Sequence, residues 1–225
     1  MIGALEAEAR KLATTRSALW LTLTVAVLAL GLAAMTKDPL LGVANFGVPV
    51  LMILAALTVT GEYRTAMIRT TFLATPRRTR VLAAKALVTG GFSAAVAAAM
   101  TAGSILIAGS GTWRSVGALA FYAAAGAVLA VAVGALLRHT AAAVAVLLLV
   151  PFVVEPMLSV STDIGDTVGP LLPFVNAAAF TGASIFGFLH SFSMWWGPQG
   201  SALYFGGVAL GIFAAAVVVV ERRDP

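Results

Sequence analysis

Few side chains in this sequence are equipped for chemistry: nine carboxylates, two histidines and no cysteine. Without thiols there are no disulfides, thiolate metal sites or cysteine nucleophiles. His139 and His190 stand in separate loops, whereas a zinc site needs three or four converging ligands, so each reads as an ordinary loop residue. The sequence has no Gly-x4-Gly-Lys-Ser/Thr phosphate loop, no His-Glu-x-x-His pair and no Gly-x-Ser-x-Gly elbow. It is therefore not expected to hydrolyse ATP itself, to hold a metal or to bind a cofactor, and no residue reads as catalytic.

Charge is concentrated in one stretch instead: Gly61-Glu62-Tyr63-Arg64-Thr65-Ala66-Met67-Ile68-Arg69-Thr70-Thr71-Phe72-Leu73-Ala74-Thr75-Pro76-Arg77-Arg78-Thr79-Arg80, with Lys85 shortly after. Residues 62–74 read as a helix. Glu62 stands at its start, where a carboxylate suits the positive end of a helix dipole. Tyr63, Ala66, Met67, Thr70 and Ala74 share one face, while Arg64 and Arg69 mix with Ile68 and Phe72 on the other. Pro76 stops the helix, because the residue before a proline is disfavoured in helical geometry. Arg77, Arg78 and Arg80 follow at a level suited to anionic headgroups. Lys85 opens an apolar segment, and its long stem is expected to snorkel to the interface. An ordinary basic loop would supply the arginines but not this order of acid, helix, proline stop and basic cluster.

The elements that position this loop are apolar. Hydrophobic residues make up 60% of the chain and charged residues 10%, with a mean hydropathy of +1.01. Soluble domains carry roughly a quarter charged residues, so the surface of this chain suits lipid rather than water. About 20 apolar residues cross a bilayer core as a helix. Six segments qualify: 17–35, 43–60, 81–108, 116–137, 141–160 and 201–220. With six spans, twelve of the fourteen lysines and arginines lie on one side, leaving only Lys37 and Arg114 on the other. Basic residues accumulate on the cytoplasmic side, which puts both ends there. The pI near 10.2 then reflects membrane orientation, not nucleic acid binding. Residues 168–189 are apolar enough for a seventh span, but Pro170, Pro173 and Asn176 favour a re-entrant or interfacial hairpin within a long outer loop, 161–200.

Residues 1–16 carry Glu6, Glu8, Arg10, Lys11 and Arg16 and do not read as a cleavable signal peptide. Ile2, Leu5, Ala9 and Leu12 share a face at helical spacing, and Glu6 precedes Arg10 by four. That pattern describes an amphipathic helix lying on the membrane surface. Trp20, Trp113, Trp195 and Trp196 fall near span ends as interface anchors. Pro49 and Pro151 are expected to kink their spans, and Gly207 and Gly211 form a small-residue pair in the sixth. Glu155 is the one acid within a span, and its position near the outer end suits a solvated interfacial carboxylate. An ion-coupled carrier would need such a group on its pathway, so Glu155 is also the residue on which that alternative rests.

The loop at 61–85 resembles that of ABC-2 type permeases, the membrane subunits of bacterial ATP-binding-cassette exporters, at Glu62, Arg64, Ile68, Arg69, Thr70, Pro76, Arg77, Arg78 and Lys85. Ala66 and Met67 stand where that family has a glycine. The resemblance extends to the layout: an all-α membrane domain, 1–225, with an interface helix before span one, six spans, a coupling helix between spans two and three (62–80), and a re-entrant hairpin between spans five and six. It implies a permease subunit that forms the substrate pathway as a dimer, with a second copy or a similar chain. A separate ATP-binding subunit, carrying the ATP and magnesium, would drive it. Glu62, Tyr63, Arg64, Thr65, Ile68, Arg69 and Thr70 would contact that subunit, and Arg77, Arg78, Arg80 and Lys85 would lie at the lipid headgroups. The location implied is the inner or plasma membrane of a bacterial cell. The uncharged spans suit a lipophilic or amphipathic cargo. The rival readings are an ion-coupled secondary transporter and a non-transporting membrane scaffold.

Overall fold

The computed structural model describes residues 2–65, 67, 78–160, 165, 167–183 and 194–222. Among these the chain is helical, without strands. A surface helix, α1 (Ile2–Thr14), leads into α2 (Arg16–Thr36). A π turn at Val43–Gly47 runs straight into α3 (Val48–Arg64). Next come α4 (Arg78–Ala108), α5 (Trp113–Leu137) and α6 (Thr140–Leu149). A second π turn, Val150–Val154, joins α6 to α7 (Glu155–Val160). After a 3-10 turn at Gly169–Leu171 come α8 (Pro173–Thr181) and α9 (Pro198–Arg222).

Six of these stretches are long and apolar enough to cross a membrane: Arg16–Thr36, Val43–Arg64, Arg78–Ala108, Trp113–Leu137, Thr140–Ser159 and Pro198–Arg222. They contain the six segments expected from hydropathy, apart from the last residue of the fifth. The spans are not equivalent. In α3 and α5, 72% and 56% of the apolar window is buried, against 22% to 28% in the other four. These two helices form the centre, and the others present a broad apolar face outward, as a bilayer requires.

Small residues set the close approaches. A Cβ on Gly42 would lie 2.6 Å from the Leu28 carbonyl oxygen and 2.7 Å from Ala29 Cα, so the start of span two rests directly on α2. At Gly134 a Cβ would meet the Ala56 carbonyl oxygen at 3.2 Å, where α5 crosses α3. Gly207 and Gly211 have nothing within 4 Å of a built Cβ, so the expected small-residue pair makes no close contact among the described residues.

Both prolines expected to kink spans sit beside π turns. Pro151 lies within Val150–Val154, and Pro49 follows Val43–Gly47 by two residues. A proline lacks the N–H for the helical ladder, and a π turn absorbs such an irregularity without ending the helix.

The described part of the long loop is not a seventh span. The nine residues of α8 cover only about 13.5 Å at 1.5 Å per residue, against about 30 Å of bilayer core. Its Phe174 and Phe180 pack edge-on or tilted against Phe205 of α9, and Phe180 also meets Phe121 and Tyr122 of α5 edge-on. Residues 184–193, including His190, lie outside the described residues.

Candidate functional site

The charged side chains gather at the end of the bundle where α1, the last turn of α3 and the first turns of α4 meet. Lys85 is at its centre, 1% exposed. Its ammonium donates to Glu8 Oε2 at 2.8 Å, Glu62 Oε1 at 2.7 Å and the Thr58 carbonyl oxygen at 3.1 Å. Lys11 closes the ring, donating to Glu62 Oε1 at 2.8 Å and Glu8 Oε1 at 3.0 Å. Two cations and two carboxylates thus tie three helices together. Burial works against the charge on Lys11, but its hydrogen bonds to Glu62 and Glu8 outweigh that and hold its pKa above the ordinary lysine value.

This arrangement corrects three expectations. Lys85 does not reach the headgroups. The apolar segment it opens packs against α1 and α3, and two carboxylates meet its ammonium inside the protein. Glu62 does not start a helix either: it lies in the last turn of α3, which runs unbroken to Arg64. A carboxylate at that end meets the negative pole of the dipole, and the two lysines offset it. Last, α1 keeps Leu5 and Leu12 of its expected apolar face turned inward but buries Glu8 rather than Ala9. Glu8 is its most buried described residue, flanked by half-buried Ala4, Leu5 and Leu12, while Ala9 is exposed. An ion pair, not an apolar stripe alone, fixes the rotation of this helix.

The other expected contact residues are dispersed. Tyr63 lies beneath the Arg138 guanidinium, 5.2 Å from its ring centre, a cation–π contact. Arg64 and Thr65 are exposed, and the Thr65 hydroxyl donates to the Gly61 carbonyl. Ile68, Arg69, Thr70 and Arg77 lie outside the described residues, as does most of the expected coupling helix. Arg78 donates to the Val220 carbonyl at 3.0 Å, satisfying one of the free carbonyls that end α9. The neighbouring Thr79 hydroxyl donates to Glu221. Arg80 is exposed, as a headgroup contact requires.

A second polar cluster occupies the opposite end. Glu155 is 2% exposed, not solvated as its position suggested. Its carboxylate accepts the backbone N–H groups of Phe174 at 3.0 Å and Val175 at 2.9 Å. Pro173, at the first position of α8, has no N–H to satisfy, so Glu155 caps the next two from another helix. Asn176 donates to the carbonyls of Pro170 and Leu172 and accepts from Trp196 Nε1 at 2.8 Å. Trp196 stacks on Tyr204, whose hydroxyl donates to the Leu171 carbonyl. Trp196 is therefore part of an internal network, while Trp20, Trp113 and Trp195 remain exposed. His139 caps α6, its Nδ1 accepting the Ala142 N–H at 3.3 Å. Among the described residues no group of three or more potential metal ligands converges.

Only proximity in sequence could have hinted at the Glu62–Lys85 pair. Glu8 is 77 positions from Lys85, and no local pattern links them. No family model matches the chain, and neither a curated protein nor a solved structure does.

Proposed function

We propose that this chain is the membrane-spanning permease subunit of an ABC exporter, working as a dimer and driven by a separate ATP-binding subunit on the side that carries the N-terminus. The observation that carries the reading is the loop at 61–85, with its family-like sequence and its two anchored ends. Glu62 closes α3, Lys85 lies in the first turns of α4, and the two are ion-paired with each other and with α1. A push on the intervening residues would therefore pass into two spans and the surface helix together rather than into a slack connection. Such rigid-body transmission is what switching between two packed states requires. Six apolar spans with few internal charges agree with a lipophilic or amphipathic cargo.

The test is capture of the chain from mild detergent with identification of stoichiometric partners. A cytosolic ATPase should co-purify. Reversing the charge of Arg64 or Arg69 should weaken that capture while membrane insertion is unchanged. Undiminished capture by both variants would remove these residues from the contact, and a chain with no ATPase partner would remove the reading.

One observation favours a second reading, an ion-coupled transporter: Glu155 is a buried carboxylate within a span. Its two oxygens are engaged by backbone N–H groups, which suits a structural cap better than an ion site. Loss of ion-coupled uptake in a folded Glu155→Gln variant would turn the balance toward transport without ATP.

A further inference from the structure

Beneath α1, between the last turns of α3 and the first turns of α4, lies a cavity of about 450 Å³, within the range of small-molecule sites. Leu12, Leu57 and Val88 give it apolar walls. Among the described residues five charged groups line it: Lys11, Arg64 and Lys85 against Glu8 and Glu62. Three cations against two carboxylates leave one positive charge in excess. Four of the five are consumed by the ion pairs already described. Arg64 is the remainder, exposed and with no ion-pair or hydrogen-bond partner among the described residues. Among the described residues a cationic amphiphile would find no accessible acid here, since both carboxylates already hold lysines and the unpartnered Glu62 Oε2 is shut off from solvent. Its lining includes Thr15 and Ser17, where α2 begins, and Gly61, Arg64 and Thr65, where α3 ends.

We propose that this cavity binds an anionic phospholipid of the leaflet on the N-terminal side. The phosphate pairs with the Arg64 guanidinium, whose planar fork matches it, and an acyl chain lies along Leu57 and Val88. The site needs no ATPase and does not depend on the permease reading. A lipid seated there would rest against the ion-paired node, so its headgroup could stabilise α1 in its docked position.

The test is native mass spectrometry of the purified, delipidated chain alone, titrated with phosphatidylglycerol, phosphatidylcholine or glycerol 3-phosphate. Phosphatidylglycerol should bind about tenfold more tightly than phosphatidylcholine, because both offer Arg64 a phosphate but the choline ammonium adds a second cation beside a site already in positive excess, and glycerol 3-phosphate should not be retained. Arg64→Gln should abolish the preference for the anionic lipid. Leu57→Trp, which fills the trough, should cut retention of phosphatidylglycerol about tenfold but leave ATPase capture unchanged, which separates this site from the proposed contact. Equal binding of the two lipids, or an undiminished preference in Arg64→Gln, would overturn the proposal. Saturation by glycerol 3-phosphate at the concentration effective for phosphatidylglycerol would also overturn it, reassigning the site to a soluble anion. Should Arg64→Gln fail to fold, the lipid comparison on the unaltered chain and Leu57→Trp decide.

Discussion

An ammonium group has three hydrogens, and Lys85 spends all three on Glu8, Glu62 and Thr58. Burying a charge costs several kcal/mol unless it is paired and fully hydrogen-bonded, and for the Lys85 ammonium both conditions hold. Removing the lysine alone leaves two buried carboxylates with only the half-exposed Lys11 as counterion. Lys85→Met should destabilise the folded chain by ~3–5 kcal/mol, the usual result of breaking a buried pair from one side. Adding Glu8→Gln and Glu62→Gln to the same chain should restore much of the loss, since the one charge left in the node, Lys11, is 43% exposed and can be hydrated. Lys11→Met should cost only about 1 kcal/mol, because that side chain is 43% exposed and water replaces part of its role. Thermal unfolding of the variants in detergent checks the ranking, and an equal loss for the two lysines would contradict it. At the other end, Glu155→Ala strands two backbone donors at the start of α8. It should cost about 2–3 kcal/mol, with Glu155→Gln roughly half as damaging because one acceptor oxygen remains. The same melts report this, and a neutral Glu155→Ala would remove the capping role.

Helix ends were legible in the sequence, and helix faces only in part. Hydropathy placed the span starts and ends to within a few residues, because the bilayer core sets a length that local composition must meet. Pro49 and Pro151 marked the two irregular turns, though not their π geometry. The face of α1 was legible in part: Leu5 and Leu12 of the apolar stripe are half-buried, but Ala9 is exposed and Glu8 is drawn in by its lysine partner on α4. Glu62 was read as a helix start because acids favour that end, and the lysines that reverse the preference are supplied by other elements. The glycines show the same division. Gly-x3-Gly at 207 and 211 looked like a packing motif, yet the tight crossing belongs to Gly42, an isolated glycine with no motif around it. Gly42→Ala would drive a methyl into the backbone of α2 and should lower stability by at least 2 kcal/mol, since backbone cannot move aside as a side chain would. Gly31→Ala, with nothing within 4 Å, should be neutral or stabilising by up to about 1 kcal/mol. Melting the two variants side by side makes the comparison, and a tolerated Gly42→Ala would mean that α2 and span two are not in contact.

The whole molecule has two polar ends joined by apolar helices around α3 and α5. The ion-paired node of α1, α3 and α4 marks one end, and the network of Glu155, Asn176, Trp196 and Tyr204 marks the other. Each end is built from segments far apart in sequence, so each closes only when the spans have assembled in the right order. That layout fixes relative sidedness: Thr14, Arg80 and Arg222 belong to one side, Ser110 and Gln199 to the other. The absence of native cysteine makes single introduced thiols clean reporters at these exposed positions. In intact cells, a membrane-impermeant maleimide should label Ser110→Cys and Gln199→Cys. It should reach Thr14→Cys, Arg80→Cys and Arg222→Cys only after permeabilisation, because the basic ends are retained in the cytoplasm. Labelling of Arg222→Cys from outside while Thr14→Cys stays protected would require an odd number of crossings and a span within 161–200. The reverse pattern at all five positions would put the loop at 61–85 outside the cell, where no ATP-driven partner could reach it, and would end the permease reading while leaving the fold intact.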